Sequence, residues 1–388
     1  MTRVSLKRCD SYRPDKLKKT IYNSLENIGF DASSFKNKRI AVKPNMLMPA
    51  KDDKAIMTHT EFFRAVIRII KEKGGHPFLI ESPAVHSLSR AIKKSGYTDV
   101  VESESIEVAD PSLTRTIHFK EARRYKQIGI SSAYFDADMI VCLPKFKTHG
   151  ITYITGAVKL LFGAIHGAEK SKMHLRLPDH NDFARFLLDL YGAFLYGFDP
   201  PKPMLHIMDA ILVQEGEGPG PAGKPRPMNA VLAGENAIAV DCVAARVAGL
   251  DIKKAPTISE GFKRGYGISS ENDIEIIGDD VESLMISDFV PATGSSIMSN
   301  MFVWPLTSPF VKNLFVERPL PDPDKCTLCY KCMKICPAGA IGPKREKQKT
   351  PEYNANKCIR CYCCLEICPE AAIKKVPGRL QWMLEFMF

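Results

Sequence analysis

The sequence has no apolar run long enough to cross a membrane. Its longest, residues 151–167, falls short of the ~20 residues a spanning helix needs and carries Lys159 within it. The basic first nineteen residues are not followed by an apolar stretch, so a secretory signal is not expected, and the cytoplasm is the expected compartment. There is no Walker A loop. The run Gly-Glu-Gly-Pro-Gly-Pro-Ala-Gly at 216–223 is only superficially a dinucleotide fingerprint, because its prolines and the absence of a following helix do not suit that turn. Nicotinamide is therefore disfavoured as an immediate hydride donor, and the Pro/Gly run reads as a lid or strand connection over a site. No nucleic-acid-binding motif is present. The net charge of +10 is spread along the chain and speaks only for acidic or anionic partners in general.

Cysteine, by contrast, is abundant and concentrated. Nine of the twelve cysteines fall between Cys326 and Cys368, while Cys9, Cys142 and Cys242 are isolated. One spacing occurs twice, as Cys326-x2-Cys329-x2-Cys332-x3-Cys336-Pro337 and as Cys358-x2-Cys361-x2-Cys364-x3-Cys368-Pro369. This is the bacterial ferredoxin run, in which three thiolates on one tight loop hold three corners of a cubane and the fourth cysteine ligates the other cluster. The expected ligand sets are Cys326, Cys329, Cys332 and Cys368 for one [4Fe–4S] cluster, and Cys358, Cys361, Cys364 and Cys336 for a second. Pro-Ala-Gly-Ala-Ile and Pro-Glu-Ala-Ala-Ile after the two runs mark an internal duplication. Paired zinc sites also use Cys-x2-Cys, but seldom with a fourth cysteine at x3 before proline. Cys363 is left over between two ligands.

Residues 321–379 hold twelve Lys or Arg against six Asp or Glu. Two oxidised cubanes with their thiolates would add about −4, leaving the module near neutral or mildly basic. A basic rim of Lys331, Lys334, Lys344, Arg345, Lys347 and Lys349 would suit docking of an acidic electron donor such as ferredoxin or flavodoxin; a merely solvated lysine-rich loop is the plainer reading.

Before residue 321 the pattern is α/β. Short apolar strands over 39–43, 77–81, 139–143, 204–208, 230–233 and 274–277 alternate with helical periodicity over 60–73, over 183–196 after an Asp182 cap, and over 237–247 after an Asn236 cap. A largely parallel sheet flanked by helices follows, with a small C-terminal α+β ferredoxin-like domain. The expected division is 1–320 for the α/β domain, 321–379 for the two-cluster domain and 380–388 for an apolar tail. The prolines of 318–324 read as a stiff linker, and the apolar segment at 298–315 as packing between the domains.

Open α/β sheets bind ligands beyond the carboxyl ends of their strands. Those ends are polar here: Lys43-Pro44-Asn45, Glu81-Ser82, a charged loop Lys145-Phe-Lys147-Thr-His149-Gly150, and Asp209 with Glu215. Together they would suit a small anionic substrate, with Lys145, Lys147, His149 and Glu215 as catalytic candidates and Lys43, Asn45, Glu81, Lys159 and Asp209 as binding candidates. Lys159 sits on an apolar helix over 155–163. Asp241 interrupts the apolar helix over 237–248, where a buried carboxylate would be notable.

The order of these motifs, Lys43-Pro-Asn, Pro144-Lys-Phe-Lys-Thr-His, Val158-Lys-Leu-Leu-Phe-Gly, Glu215-Gly-Glu-Gly-Pro and Ala239-Val-Asp241, resembles the family called domain of unknown function 362, often fused to a bacterial-type ferredoxin module. The resemblance spans about 35–320 and implies a soluble protein whose chemistry the family leaves open. Members often have Lys-Asn where this chain has Lys159-Leu160, so a role for that Asn does not carry over. The leading expectation is an iron–sulfur oxidoreductase passing electrons from a low-potential donor to an anionic substrate at the strand ends. A further flavin stays open, since flavins have many unrelated binding modes. The alternatives are an electron-transfer or scaffold subunit without chemistry of its own, and a cluster-based redox sensor.

Overall fold

The structure is a computed structural model and describes residues 1–83, 87–177, 180–292, 313–314 and 317–378. The tail at 380–388 and almost all of the apolar segment at 298–315 lie outside the described residues.

Ten strands form one sheet. In chain order the first four are β1 Thr2–Arg8, β2 Arg39–Pro44, β3 His76–Leu79 and β4 Glu107–Val108. A separate hairpin follows, β5 Thr114–His118 and β6 Gln127–Ser131. The main sheet continues with β7 Met139–Leu143, β8 Lys145–His149, β9 Tyr153–Thr155, β10 Met204–Gly216, β11 Gly223–Gly234 and β12 Ile274–Gly278. The spatial order is β12-β1-β11-β10-β7-β2-β3-β4, with β8 and β9 beside the far half of β10. From β10 to β4 every neighbouring pair is parallel, while β11 runs antiparallel to its neighbours β1 and β10, and β9 antiparallel to β8.

The chain moves outward from β2 to β3 and β4, then returns to place β7 on the other side of β2. The strand order therefore reverses between β2 and β7, and the crevice beyond their carboxyl ends is the place where an open α/β sheet takes a ligand. The strands read as continuous apolar runs because both faces are covered: Ile40, Val42, Val141 and Leu205 pack in one core with the helix Thr60–Glu72, while Ala41, Ile140 and Met208 pack in the other with the helices His180–Tyr196 and Ala237–Val247. Among the described residues, no helix is long and apolar enough to cross a membrane.

Four expectations change. The charged run at 145–149 is a buried strand rather than a loop, because Pro144 kinks the chain at the end of β7 and lets it continue alongside β10. The two strands expected at 204–208 and 230–233 are the bases of a long hairpin, β10–β11, whose tip is the Pro/Gly run. The expected linker contributes a strand, Arg318–Pro321, paired antiparallel with Ile373–Val376 of the cysteine-rich segment. Asp182 lies inside the first turn of its helix, where it pairs with Arg124 and Arg185 instead of capping. β1, hidden in a Lys- and Arg-rich terminus, was not expected at all; Val4 and Leu6 bury one face of it between β11 and β12.

Asp241 is buried, and its carboxylate accepts from the Ala157 N–H and, at 3.1 Å, the Val158 N–H. It thus holds the start of the short helix Ala157–Leu160 that carries Lys159, and a side chain on Gly156 would fall on that carboxylate. Burial raises the Asp241 carboxyl to about 7 against the pull of these two amides. Asp241→Ala should cost about 2 kcal/mol by stranding two buried donors, read as a lowered urea midpoint.

Candidate functional site

At the carboxyl ends of β2, β3 and β7 the chain turns around a cavity of about 100 Å³. Its floor is Asn45, Met46 and Leu47 after β2, Glu81 and Ser82 after β3, and Lys147 and Thr155 on β8 and β9. One wall is Lys159 and Leu160 of the helix Ala157–Leu160, then Phe162 and Gly163 of the 3-10 turn Leu161–Ala164, then Lys170 of the helix Gly167–Arg176. Among the sequence-predicted residues, Asn45, Glu81, Lys147 and Lys159 meet here.

Lys43 stands directly behind. Its ammonium donates to the Glu81 carboxylate in a buried ion pair, and the other Glu81 oxygen accepts from the Ser82 N–H at 2.8 Å. The 3-10 turn brings Gly163 so close that any Cβ there would overlap the Lys43 ammonium and the Glu81 carboxylate. This close approach is what the glycine permits.

Lys145, Asp209, His149 and Glu215 do not line the cavity. Parallel register sets Asp209 on β10 opposite Lys145 on β8, and the two form a fully buried ion pair at 2.7 Å. Tyr12 completes it, donating to Asp209 at 2.8 Å and accepting from Lys145 at 3.0 Å, while its ring stacks on His59. This network ties the N-terminal segment to the centre of the sheet. The Glu215 carboxylate accepts from the Val290 N–H at 3.1 Å, on a different side of the hairpin. The expectation that all nine polar residues converge is thus corrected: Asp209 is taken up by Lys145, and Glu215 by the backbone at 290.

Three lysines line the cavity without a carboxylate partner among the described residues. Lys147, 1% exposed, donates to Asn45 Oδ1 and to the Ile56 carbonyl, both at 2.7 Å. Burial holds its ammonium well below the ordinary lysine range, reinforced by Lys159 and Lys145 nearby. Lys170 donates to the Ser82 carbonyl, and burial brings it down to about 7. Lys159 has no hydrogen-bond or ion-pair partner among the described residues; burial lowers it too, opposed by Glu366. Thr155, directly across from Lys147 in the β8–β9 pairing, has a buried hydroxyl with no hydrogen-bond partner among the described residues.

For Lys170 the unfolded chain has the ordinary value of 10.5 and the fold about 7, so the folded protein holds fewer protons between those pH values. Its contribution to stability therefore rises with pH from about 7 to 10.5 and is lost below about 7. Lys170→Met should flatten that rise, measured as denaturant midpoints of both proteins across the window.

The roof comes from the cysteine-rich segment. Ile335, Cys363, Glu366 and Ile367 close the cavity, joined by Pro219 from the β10–β11 tip. The His149 ring binds this roof: Nδ1 accepts from the Ile151 and Thr152 N–H groups, which leaves the proton on Nε2, 3.2 Å from Glu366 Oε1. Lys375 pairs with Glu217 at 2.8 Å, and Gly220 lies against the Glu366 backbone, where a Cβ would collide.

Within that segment the two loops are copies. Leu328 and Tyr330 flank Cys329 with positive φ, and Arg360 and Tyr362 flank Cys361 in the same way. Left-handed backbone at four non-glycine residues persists only where surroundings over-determine it. Cys326, Cys329, Cys332 and Cys368 line a second cavity together. Cys336 neighbours Cys358 and Cys361, and Cys364 lies near the same three. The Ala340 N–H donates to Cys336 Sγ at 3.2 Å, and the Ala372 N–H to Cys368 Sγ at 3.3 Å, the same contact in each copy. These observations fit cubane ligation.

Comparison with known proteins agrees on both parts. Residues 40–246 match the family described as domain of unknown function (DUF362), and residues 318–369 match the 4Fe-4S dicluster domain. The chain belongs to the DUF362 family. It joins the family domain to an iron–sulfur electron-transfer domain. A thylakoid-associated protein of the cyanobacterium Synechocystis is 30% identical to this DUF362 chain over 264 residues, 68% of this chain and 79% of that protein. Among solved structures, the lactate racemase apoprotein of Thermoanaerobacterium thermosaccharolyticum aligns over 63% of this chain and 57% of its own, at 14% identity and a TM-score of 0.42. A Thermotoga maritima protein aligns over 56% and 55%, at 14% identity and a TM-score of 0.37. The chain spans little more than half of either solved chain.

Sequence reasoning missed Thr155, Lys170 and Glu366. Thr155 and Lys170 belong to no motif. Glu366 hides inside the second cysteine run, where only the ligands draw notice.

Proposed function

We propose that this DUF362 protein is an iron–sulfur oxidoreductase that reduces a compact anionic ligand held in the roofed cavity. The observation that carries this reading is the roof itself: the helix Cys363–Ile367, which includes the expected ligand Cys364, is also a wall of the cavity. Cys326, Cys329, Cys332 and Cys368 would hold one cluster, with Cys329 exposed to solvent, and Cys336, Cys358, Cys361 and Cys364 the other, beside the cavity. When bound, the two [4Fe–4S] clusters supply low-potential electrons one at a time.

The rest is the work of the chain's own residues. Lys147 and Lys159 attract and orient the anion. Lys147, its ammonium pushed below the ordinary range, can hold or release a proton at Nζ nearer to neutral pH than an ordinary lysine. His149 positions Glu366 and so keeps the roof in place, which assigns it a supporting rather than a proton-donating role. Lys145 and Asp209 set the register of β8, and with it the reach of Lys147. The exposed Lys334, Lys344, Lys347 and Lys349 suit an acidic one-electron donor of the ferredoxin or flavodoxin kind, working in a reducing compartment such as the cytoplasm.

The test is anaerobic. Protein reduced with dithionite is mixed with a panel of small carboxylates and phosphate monoesters that each carry a reducible ketone or activated double bond, and reoxidation of the clusters is followed by visible absorption and electron paramagnetic resonance. One of these acceptors should oxidise the wild type at least ~100-fold faster than it oxidises Lys147→Met, whose iron content should be unchanged. Equal rates for both proteins with every acceptor would sink the proposal.

A further inference from the structure

The ionic balance of the cavity says more about its ligand than that it is anionic. Glu81 already accepts from Lys43 and Ser82, whereas Glu366 faces a neutral imidazole and keeps its negative charge within electrostatic reach of Lys147 and Lys159. Against that one carboxylate stand three lysines, Lys147, Lys159 and Lys170, which donate only to neutral oxygens or, for Lys159, to no partner among the described residues, so with all three as ammoniums two positive charges are left over. The three lysines stand in a row. Lys159 lies within electrostatic reach of both others, Lys147 sits at the Asn45 end, and Lys170 sits at the Ser82 end beside the Phe162 ring. A buried ammonium without a counter-charge is costly, and two left over around one cavity are more so.

A monoanion could neutralise one end of this row and would leave the other uncompensated. Two negative groups, one between Lys147 and Lys159 and one between Lys159 and Lys170, would match it. The Thr155 hydroxyl, 3% exposed, without a hydrogen-bond partner among the described residues and opposite Lys147 in the strand pairing, offers a neutral hydrogen bond at the first of these positions. Leu47, Leu160 and Phe162 line the space with apolar surface, which suits a short carbon body rather than a hydrated ion.

From this juxtaposition we infer that the ligand of the cavity is a small dianion, a dicarboxylate or a phosphate monoester, gripped at both ends with Lys159 shared between them. The inference deepens the reading of the cavity as the site of an anionic ligand and depends on it, but it does not depend on electron transfer. Lys159 is then the residue that selects charge two over charge one.

Binding distinguishes these ideas without turnover. The full, cluster-loaded protein is titrated anaerobically by calorimetry at constant ionic strength with succinate, glycerol phosphate and butyrate as probes. Succinate or glycerol phosphate should bind at least about tenfold more tightly than butyrate, in line with an additional charged hydrogen-bonded contact, and which of the two binds tells carboxylate from phosphate. Lys159→Met should abolish the preference, Lys159→Arg should keep most of it, and Thr155→Val should weaken the preferred dianion several-fold at unchanged thermal stability. Butyrate binding as tightly as both dianions, no binding of either dianion, or an unchanged preference in Lys159→Met would each overturn the inference. A dianion that binds with the expected preference yet never reoxidises reduced clusters would leave this inference standing and remove the oxidoreductase reading instead.

Discussion

Replacing Cys361 by serine should remove one cluster and leave the other, lowering iron from about eight to about four atoms per chain. The crossed ligand sets make the outcome specific. Cys336 lies near Cys358 and Cys361, not with the loop that precedes it in sequence, so Cys336→Ser should abolish the same paramagnetic signal as Cys361→Ser. Cys368→Ser should instead abolish the signal lost in Cys329→Ser, because those residues share a cavity with Cys326 and Cys332. Cys363→Ser should leave the iron content whole. On the proposed function, Cys361→Ser should also stop reduction of the bound anion almost entirely, since the cluster nearest the cavity is then missing. Loss of the same signal in Cys336→Ser and Cys329→Ser would refute the crossing.

Lys43→Met should be strongly destabilising. The Lys43 side chain is fully buried and Glu81 nearly so, and the methionine would leave the Glu81 carboxylate without its cation. Removing one partner of a buried pair costs about 3–5 kcal/mol, which for a chain of this size is roughly 5 °C in melting temperature. Gly163→Ala should act in the same direction by forcing the pair apart. A loss below ~1 kcal/mol in chemical denaturation of Lys43→Met would show that Glu81 finds another partner or takes up a proton.

What could be read from the sequence was what is local. Three thiolate ligands of each cubane stand three positions apart on one loop, so their spacing carries the chemistry by itself. Strand ends are nearly as legible, since a run of apolar residues stops where the chain meets the crevice; Asn45, Glu81 and Lys147 were found that way. What failed depended on distant pairing. Lys145 and Lys147 are two residues apart and look equivalent, yet one meets Asp209 and the other Asn45, because β10 brings its own residues alongside β8 in a register no local pattern encodes. Glu215 was misplaced for the same reason, since the length of the β10–β11 hairpin decides which way it faces. Lys170 reaches the cavity from a helix that begins eighteen residues beyond β8, and nothing near it in sequence marks it out.

The helix Cys363–Ile367 that roofs the cavity carries a thermodynamic obligation. On the proposed function, ligand and inner cluster would be separated by one shared wall, so the presence of an anion would change the free energy of adding an electron on the other side of it. The exchange is reciprocal: whatever factor the ligand imposes on reduction, reduction imposes on the ligand's dissociation constant. For a one-electron couple each tenfold change in affinity corresponds to about 59 mV in potential. An anion placed so close makes its neighbour harder to reduce, and by the same amount an electron arriving there loosens the anion's hold. Unless a proton arrives with the electron, the oxidised protein is therefore the better trap, and reduction favours release.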